Sequence, residues 1–179
     1  KPYNEQEQKD KQIFLRYFSN FDNFLSRENE YGHFCSSAFV LNKTRDKVLM
    51  IHHNIYNSWA WLGGHADGDS NLLHVAMKEV SEESGIKDIT PIDNKIFIID
   101  TLAVLGHEKR GAYVPAHTHL SVAYLLEADE DEPLQIKSNE NSGVQWVTIN
   151  KMVEISTEPH MIYVYEKAIK KMTEEGHLN

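Results

Sequence analysis

Three carboxylates, Glu79, Glu82 and Glu83, stand at i, i+3 and i+4 in a segment that reads as a helix over residues 70–84. On a helical wheel they share an arc of roughly 100°, beside the apolar stripe Leu73, Ala76, Met77 and Val80. Two like charges about 5 Å apart repel by roughly 3 kcal/mol at an effective dielectric of ~20. These three also lie late in their helix, near the negative end of its dipole. Protons or a cation would relieve both costs. A divalent cation does so best, and an oxygen-only ligand set favours Mg²⁺ or Mn²⁺ over Zn²⁺ or copper. The competing reading is a solvated acidic helix face. Gly63 and Gly64, ahead of the helix, read as a tight turn open to close approach by a ligand, and Gly85 as its left-handed C-terminal cap.

Ten histidines are a surplus for 179 residues. His117 and His119 alternate on an expected strand and so share a face. With His65, next to the glycines, they read as pocket lining that binds phosphate, as ordinary polar strand positions, or as a zinc site. The zinc reading lacks cysteines and an obvious fourth ligand. Trp59 and Trp61 flank the glycines, either to stack on a base or to cover the core. Lys109 and Arg110 read as a turn, solvated or meeting substrate phosphates, and Cys35 as a small core residue.

The elements that must position these groups follow from hydrophobic period. Residues 5–29 read as one helix, with Phe14, Tyr17, Phe18, Phe21, Phe24 and Leu25 at three- and four-residue spacings. It either packs on the domain or also builds a homodimer interface. Residues 32–41 and 47–53 read as strands around a polar turn, and 58–62 as a short third strand. Residues 95–105, 117–126 and 144–149 read as further strands, and 159–175 as a closing helix with Ile162, Tyr165, Ala168, Ile169 and Met172 on one stripe. The sum is one α+β unit: a mixed sheet, a helix between strands, and helices at both ends.

Composition sets the outer limits. Hydrophobic residues at 41% and charged residues at 25% exclude low-complexity and collagen-like chains. No apolar run approaches the ~20 residues of a bilayer-spanning helix, so no membrane partner is expected. The single cysteine excludes an internal disulfide and reads as a cytoplasmic location. A formal charge of −9, from 18 basic and 27 acidic residues, argues against duplex nucleic acid. It leaves room for a small phosphorylated substrate, because bound cations invert a local potential.

The segment 64–86 resembles the signature of the Nudix hydrolase family: Gly, five residues, Glu, seven residues, Arg-Glu-aliphatic-any-Glu-Glu-any-Gly-aliphatic. Gly64, Glu79, Val80, Glu82, Glu83, Gly85 and Ile86 match, seven of nine specified positions with the spacing intact. Ser70 replaces the first Glu and Lys78 the Arg, a pair that shapes the loop and helix in the family. The loop looks one residue short, so Asp69 is the candidate substitute for the missing Glu. Lys78 keeps the charge of Arg but not its two-pronged geometry. The resemblance implies an α/β/α sandwich over residues 31–179 with a mixed central sheet, and an additional N-terminal helix over 1–30. It implies Glu79, Glu82 and Glu83 as metal ligands, the Gly64 carbonyl as a further one, and Mg²⁺ or Mn²⁺ as cofactor. It implies hydrolysis of a nucleoside diphosphate derivative by water, with Glu82, Glu83 or the loop acid Glu140 taking the proton.

Two other readings compete. One is a non-catalytic Nudix-fold binding or regulatory domain, suggested by Ser70 and Lys78. The other is isopentenyl diphosphate isomerase, which shares the fold but needs a cysteine near the turn where this chain has Leu62-Gly63-Gly64-His65.

Overall fold

The computed structural model describes residues 1–109 and 111–179, the Lys109 side chain excepted. The contacts read for Lys109 and Arg110 therefore lie outside the described residues. The chain opens with helix α1 (Glu5–Asn20), followed by strands β1 (Gly32–Asn42), β2 (Lys47–His53), β3 (Ser58–Ala60) and β4 (Leu62–His65). Helix α2 (Leu72–Ser84) leads to β5 (Ile89–Pro91), β6 (Ile98–Val104), β7 (His107–Lys109), β8 (Ala112–Val114), β9 (His117–Ala128) and β10 (Asn141–Thr148). Helices α3 (Lys151–Ile155) and α4 (Pro159–Glu174) close the chain.

Strand β1 is the axis of the sheet. It is buried at every position and pairs with β9 in parallel from Gly32↔Thr118 to Asn42↔Ala128. The main sheet runs β10-β2-β1-β9-β5, with β3 on β2, β4 on β1 and β6 on β9, all of these other pairings antiparallel. On its other edge β1 meets β2 at Leu41↔Val48 and then β4 from Ala38 to Cys35. Strand β4 therefore takes over as the partner of β1 at the level of Gly63 and Gly64.

Alternate residues of β1 feed opposite layers, as the period of two requires. Phe34, Ala38 and Val40 pack with Ala76 and Val80 of α2 and Phe14 of α1. Phe39 and Leu41 pack with Met161, Val164, Tyr165, Ala168 and Met172 of α4. This is an α/β/α sandwich around a mixed sheet.

The observed elements correct several expectations. The helix read over 5–29 ends at Asn20. Ser19 Oγ and the Asn20 amide cap the Leu15 and Arg16 carbonyls at 2.9 and 2.7 Å, and Phe21 turns extended. The aromatic period continues past that point because Phe18 and Phe24 stack around Phe34, so burial mimics a helix where none exists. The strand read over 95–105 shortens to β6, and 58–62 divides into β3 and β4. Strand β5, the β7–β8 hairpin and the five-residue α3 have too short a pattern to be read.

Strand β6 is an edge, and its open side is closed by buried charge. Glu7 Oε1 accepts the Ile99 N–H at 3.3 Å, and Asp10 Oδ2 accepts the Thr101 N–H at 3.1 Å. Lys167 Nζ donates to the Ile99 carbonyl at 3.0 Å and pairs with Asp100 at 2.8 Å, both side chains almost fully buried. Phe14 meets Phe34 edge-on at 5.1 Å, so α1 is packed on this chain's own sheet. Truncating Lys167 strands Asp100 and Glu7 without their cation. Lys167→Ala is expected to lower stability in urea denaturation by roughly 3–5 kcal/mol. The double variant Lys167→Met/Asp100→Asn should recover much of that loss.

Candidate active site

The site is assembled where β4, the end of α2 and the loop before β10 meet. Asn71 caps α2, its side chain accepting the His74 N–H at 3.1 Å. Asp69 accepts the Asn71 N–H at 2.8 Å and sits 2.9 Å from His74 Nδ1, contacts that hold its carboxyl below the ordinary range, His74 first. Lys78 reaches Glu82 at 3.7 Å. Asp69 thus stiffens the helix start through His74 and does not rebuild the acid–cation pair expected with Lys78. The loop before α2 is instead tied to the N-terminal segment. Arg27 forks onto Asp67, Nε to Oδ1 at 2.7 Å, and the Gly68 N–H donates to the Leu25 carbonyl at 3.0 Å.

Gly63 and Gly64 lie within β4 and not in the tight turn read from sequence. Their smallness serves packing. A Cβ on Gly63 would stand 2.5 Å from Ser37 Cα, and one on Gly64 2.6 Å from Glu79 Cδ. The Glu79 carboxylate occupies the room that Gly64 leaves. The Gly63 N–H donates to Glu83 Oε2 at 3.0 Å. Gly85 takes the left-handed cap conformation at φ 84°, its N–H bonded to the Ser81 carbonyl.

The three carboxylates differ in environment. Glu83 is 3% exposed, Glu79 half-buried and Glu82 exposed. Burial pushes Glu83 up to about 8, and the charges of Glu79 and Glu140 add to this against the Gly63 hydrogen bond. Burial also raises Glu79, helped by Glu82. The hydrogen bond from Lys137 lowers Glu82.

Lys137 is a residue that the sequence reading missed. Its Nζ lies 2.8 Å from Glu82 Oε2 and 2.9 Å from Glu140 Oε2, linking helix and loop. The loop docks on the C-terminal carbonyls of α2: the Gln135 N–H donates to the Ser84 carbonyl at 2.7 Å, and the buried Asn141 amide to the Glu83 carbonyl at 3.0 Å. Only this docking brings Glu140 to the carboxylates. No local pattern around residue 137 or 140 could have signalled it.

These groups line a cavity of about 950 Å³, together with Gly63, Gly64, His65 and His119. Of the two tryptophans, Trp61 lines it and Trp59 does not. Trp59 lies against Gly143 and meets His52 edge-on at 5.4 Å. His117 stands behind His119, Nε2 to Nε2 at 3.2 Å, and is not part of the lining. Cys35, read as an ordinary core residue remote from the glycines, lies opposite His65 in the β1–β4 register and lines the cavity. Burial and the neighbouring imidazoles, His65 first, hold His119 neutral, its pKa pushed down to about 2.

The NUDIX domain model matches residues 33–168 of this sequence. The chain belongs to the Nudix family. No curated protein matches the sequence. Solved Nudix structures share the fold at low identity. The Ap4A hydrolase of C. elegans in a binary complex superposes with a TM-score of 0.58 at 16% identity, covering 78% of this chain and 97% of that one. The dihydroneopterin triphosphate pyrophosphohydrolase of E. coli gives 0.56 at 13% identity, covering 75% and 92%. A Nudix hydrolase from M. smegmatis gives 0.56 at 14% identity, covering 81% and 88%.

Nudix enzymes generally use divalent cations, and the donor set of this Nudix chain fits one. Glu79 and Glu83 are both raised by burial in the lining of one cavity, and each would ionise more readily beside added positive charge. In the metal-free protein Glu83 binds its proton more tightly than in the unfolded chain. The contribution of Glu83 to stability is therefore fully present below the unfolded value of 4.5 and is lost as pH rises toward about 8. In thermal melts of chelator-treated protein, wild type should lose stability relative to Glu83→Gln as pH rises through this window.

Proposed function

We propose that this chain is a Mg²⁺- or Mn²⁺-dependent Nudix hydrolase that cleaves a pyrophosphate linkage in a small nucleoside diphosphate derivative. The observation that carries this reading is the convergence of Glu79, Glu82, Glu83 and Glu140 on one cavity wall beside Gly63 and Gly64. In the same reading, residues 31–179 form the hydrolase domain and 1–30 a helical extension of it, in a cytoplasmic protein. Phe18 and Leu15, 48% and 46% exposed on α1, would be the apolar contact of a homodimer.

Glu79, Glu82 and Glu83 would hold the cation, with the Gly64 carbonyl as a further oxygen donor. When bound, such a cation neutralises charge on the bridging phosphates and makes water a better nucleophile at neutral pH. The Gly63 N–H fixes Glu83 Oε2 in place, and the room left by Gly64 admits the Glu79 carboxylate. Lys137, beside Glu82 and Glu140, would meet substrate phosphate. Glu140 is our candidate for the carboxylate that accepts the proton of the attacking water. His65 and His119 would face the phosphates, with His117 supporting His119. Trp61, which lines the cavity, would be the tryptophan that stacks on a base, in place of Trp59.

The test is product formation, followed by chromatography, from nucleoside triphosphates, nucleotide sugars, ADP-ribose, dinucleotides and dinucleoside polyphosphates. EDTA should abolish turnover, and Mg²⁺ or Mn²⁺ should restore it. Glu82→Gln and Glu140→Gln are each expected to lose roughly 10²- to 10⁴-fold in turnover, the span associated with a positioned proton-transfer group. Only Glu82→Gln should also raise the cation concentration required. Chelator-insensitive turnover, or wild-type rates in both variants, would refute the assignment.

A further inference from the structure

Four side chains with nitrogen and sulfur donors meet without sharing a residue with the carboxylate group: Cys35, His65 and His119 line the cavity, and His33 lies buried behind them. His33 and Cys35 are two apart on β1 and so face the same side of the sheet. In register, Cys35 lies opposite His65 of β4, and His33 opposite His119 of β9. One ligand atom from each of His33, Cys35, His65 and His119 can be chosen so that all lie within 4.8 Å of one another. The His33 ring centroid is 5.0 Å from that of His65 and 5.2 Å from that of His119. A tetrahedral zinc site has ligand–ligand edges of roughly 3.4–3.8 Å, set by bond lengths of about 2.0–2.3 Å. The four donors therefore need to close by no more than about 1.4 Å.

His33 supplies an independent observation. It is 4% exposed, and its Nδ1 lies 3.1 Å from the Asn29 carbonyl, which makes Nδ1 the protonated nitrogen. Its Nε2 is buried and has no hydrogen-bond partner among the described residues. A buried lone pair left without a donor is costly, and native proteins rarely tolerate one. A ring whose Nδ1–H donates to a backbone carbonyl while Nε2 waits for an electrophile is the usual arrangement of a metal-bound histidine. His117 repeats it at one remove, with Nδ1 2.9 Å from the Pro115 carbonyl and Nε2 3.2 Å from His119 Nε2.

We propose that His33, Cys35, His65 and His119 form a second cation site, for Zn²⁺, in the cavity wall and distinct from the carboxylates. Three imidazoles and one thiolate match the preference of Zn²⁺ and not of Mg²⁺. Binding forms one Zn–S and three Zn–N bonds, and the Cys35 proton leaves to solvent. The ion ties β1, β4 and β9 together. It also places a fixed positive charge beside Gly64, on the wall that faces the carboxylates.

Metal content decides the matter without reference to turnover. The whole chain is stripped with chelator and titrated with ZnCl₂ by calorimetry, and with CoCl₂ by absorption. Wild type is expected to bind one equivalent of Zn²⁺, and its Co²⁺ form to show a thiolate-to-metal charge-transfer band. The Glu82→Gln/Glu83→Gln variant should keep both, so failure of the hydrolase reading and failure of this site are separable. His119→Ala should lose the tight equivalent. Cys35→Ser, a near-isosteric change, should fold as judged by circular dichroism and lose the charge-transfer band. Absence of a tight equivalent in wild type would overturn the site. So would a Zn²⁺ equivalent lost in the carboxylate variant and retained in His119→Ala, or a charge-transfer band that survives Cys35→Ser.

Discussion

Two carboxylates, one buried and one half-buried, set the terms for the active region. Glu83 is enclosed almost completely, and Glu79 fills the space that a Cβ on Gly64 would take. Burial makes each harder to ionise, and a neighbouring charge adds to this, that of Glu82 at Glu79 and that of Glu79 at Glu83. The surroundings answer that strain piece by piece. The Gly63 N–H steadies Glu83, Lys137 draws Glu82 and Glu140 together, and the C-terminal carbonyls of α2 are taken up by Gln135 and Asn141. An arrangement that holds acids this close is stable when positive charge is supplied, which is also what phosphoryl chemistry requires.

Strand β1 makes that arrangement possible. Its parallel pairing with β9 fixes one edge, while on the other edge it exchanges β2 for β4. The exchange brings Gly63 and Gly64 under α2. It also sets Cys35 against His65 and His33 against His119. Strand β1 thus seats β4, whose backbone receives the carboxylates, and itself carries two of the nitrogen and sulfur donors, His33 and Cys35, on one face.

The outer edge is managed by charge. Glu7, Asp10 and Lys167 occupy hydrogen-bonding groups of β6 that would otherwise be open to another strand. The N-terminal helix is therefore an edge cover as well as an apolar layer, and its acids are buried because the strand beneath needs acceptors. Lys167 balances them from α4, so three elements distant in sequence share one ionic group.

The sequence alone determined the local features. The helix carrying Glu79, Glu82 and Glu83, its glycine cap, the strands β1, β2, β9 and β10, and the family signature all follow from period and spacing within about 20 residues. The helix read to residue 29 shows where that logic misleads, because Phe24 packs partly buried against Phe34 without being helical. Everything that depends on contacts between distant segments was decided by the tertiary structure. Strand register chose Cys35 and His33 as neighbours of His65 and His119, and loop docking chose Lys137 and Glu140 as neighbours of Glu82. Side-chain alternation says which residues share a face of a strand. It does not say which strand lies beside it, because that is fixed by how the layers pack and which backbone groups they leave to be satisfied.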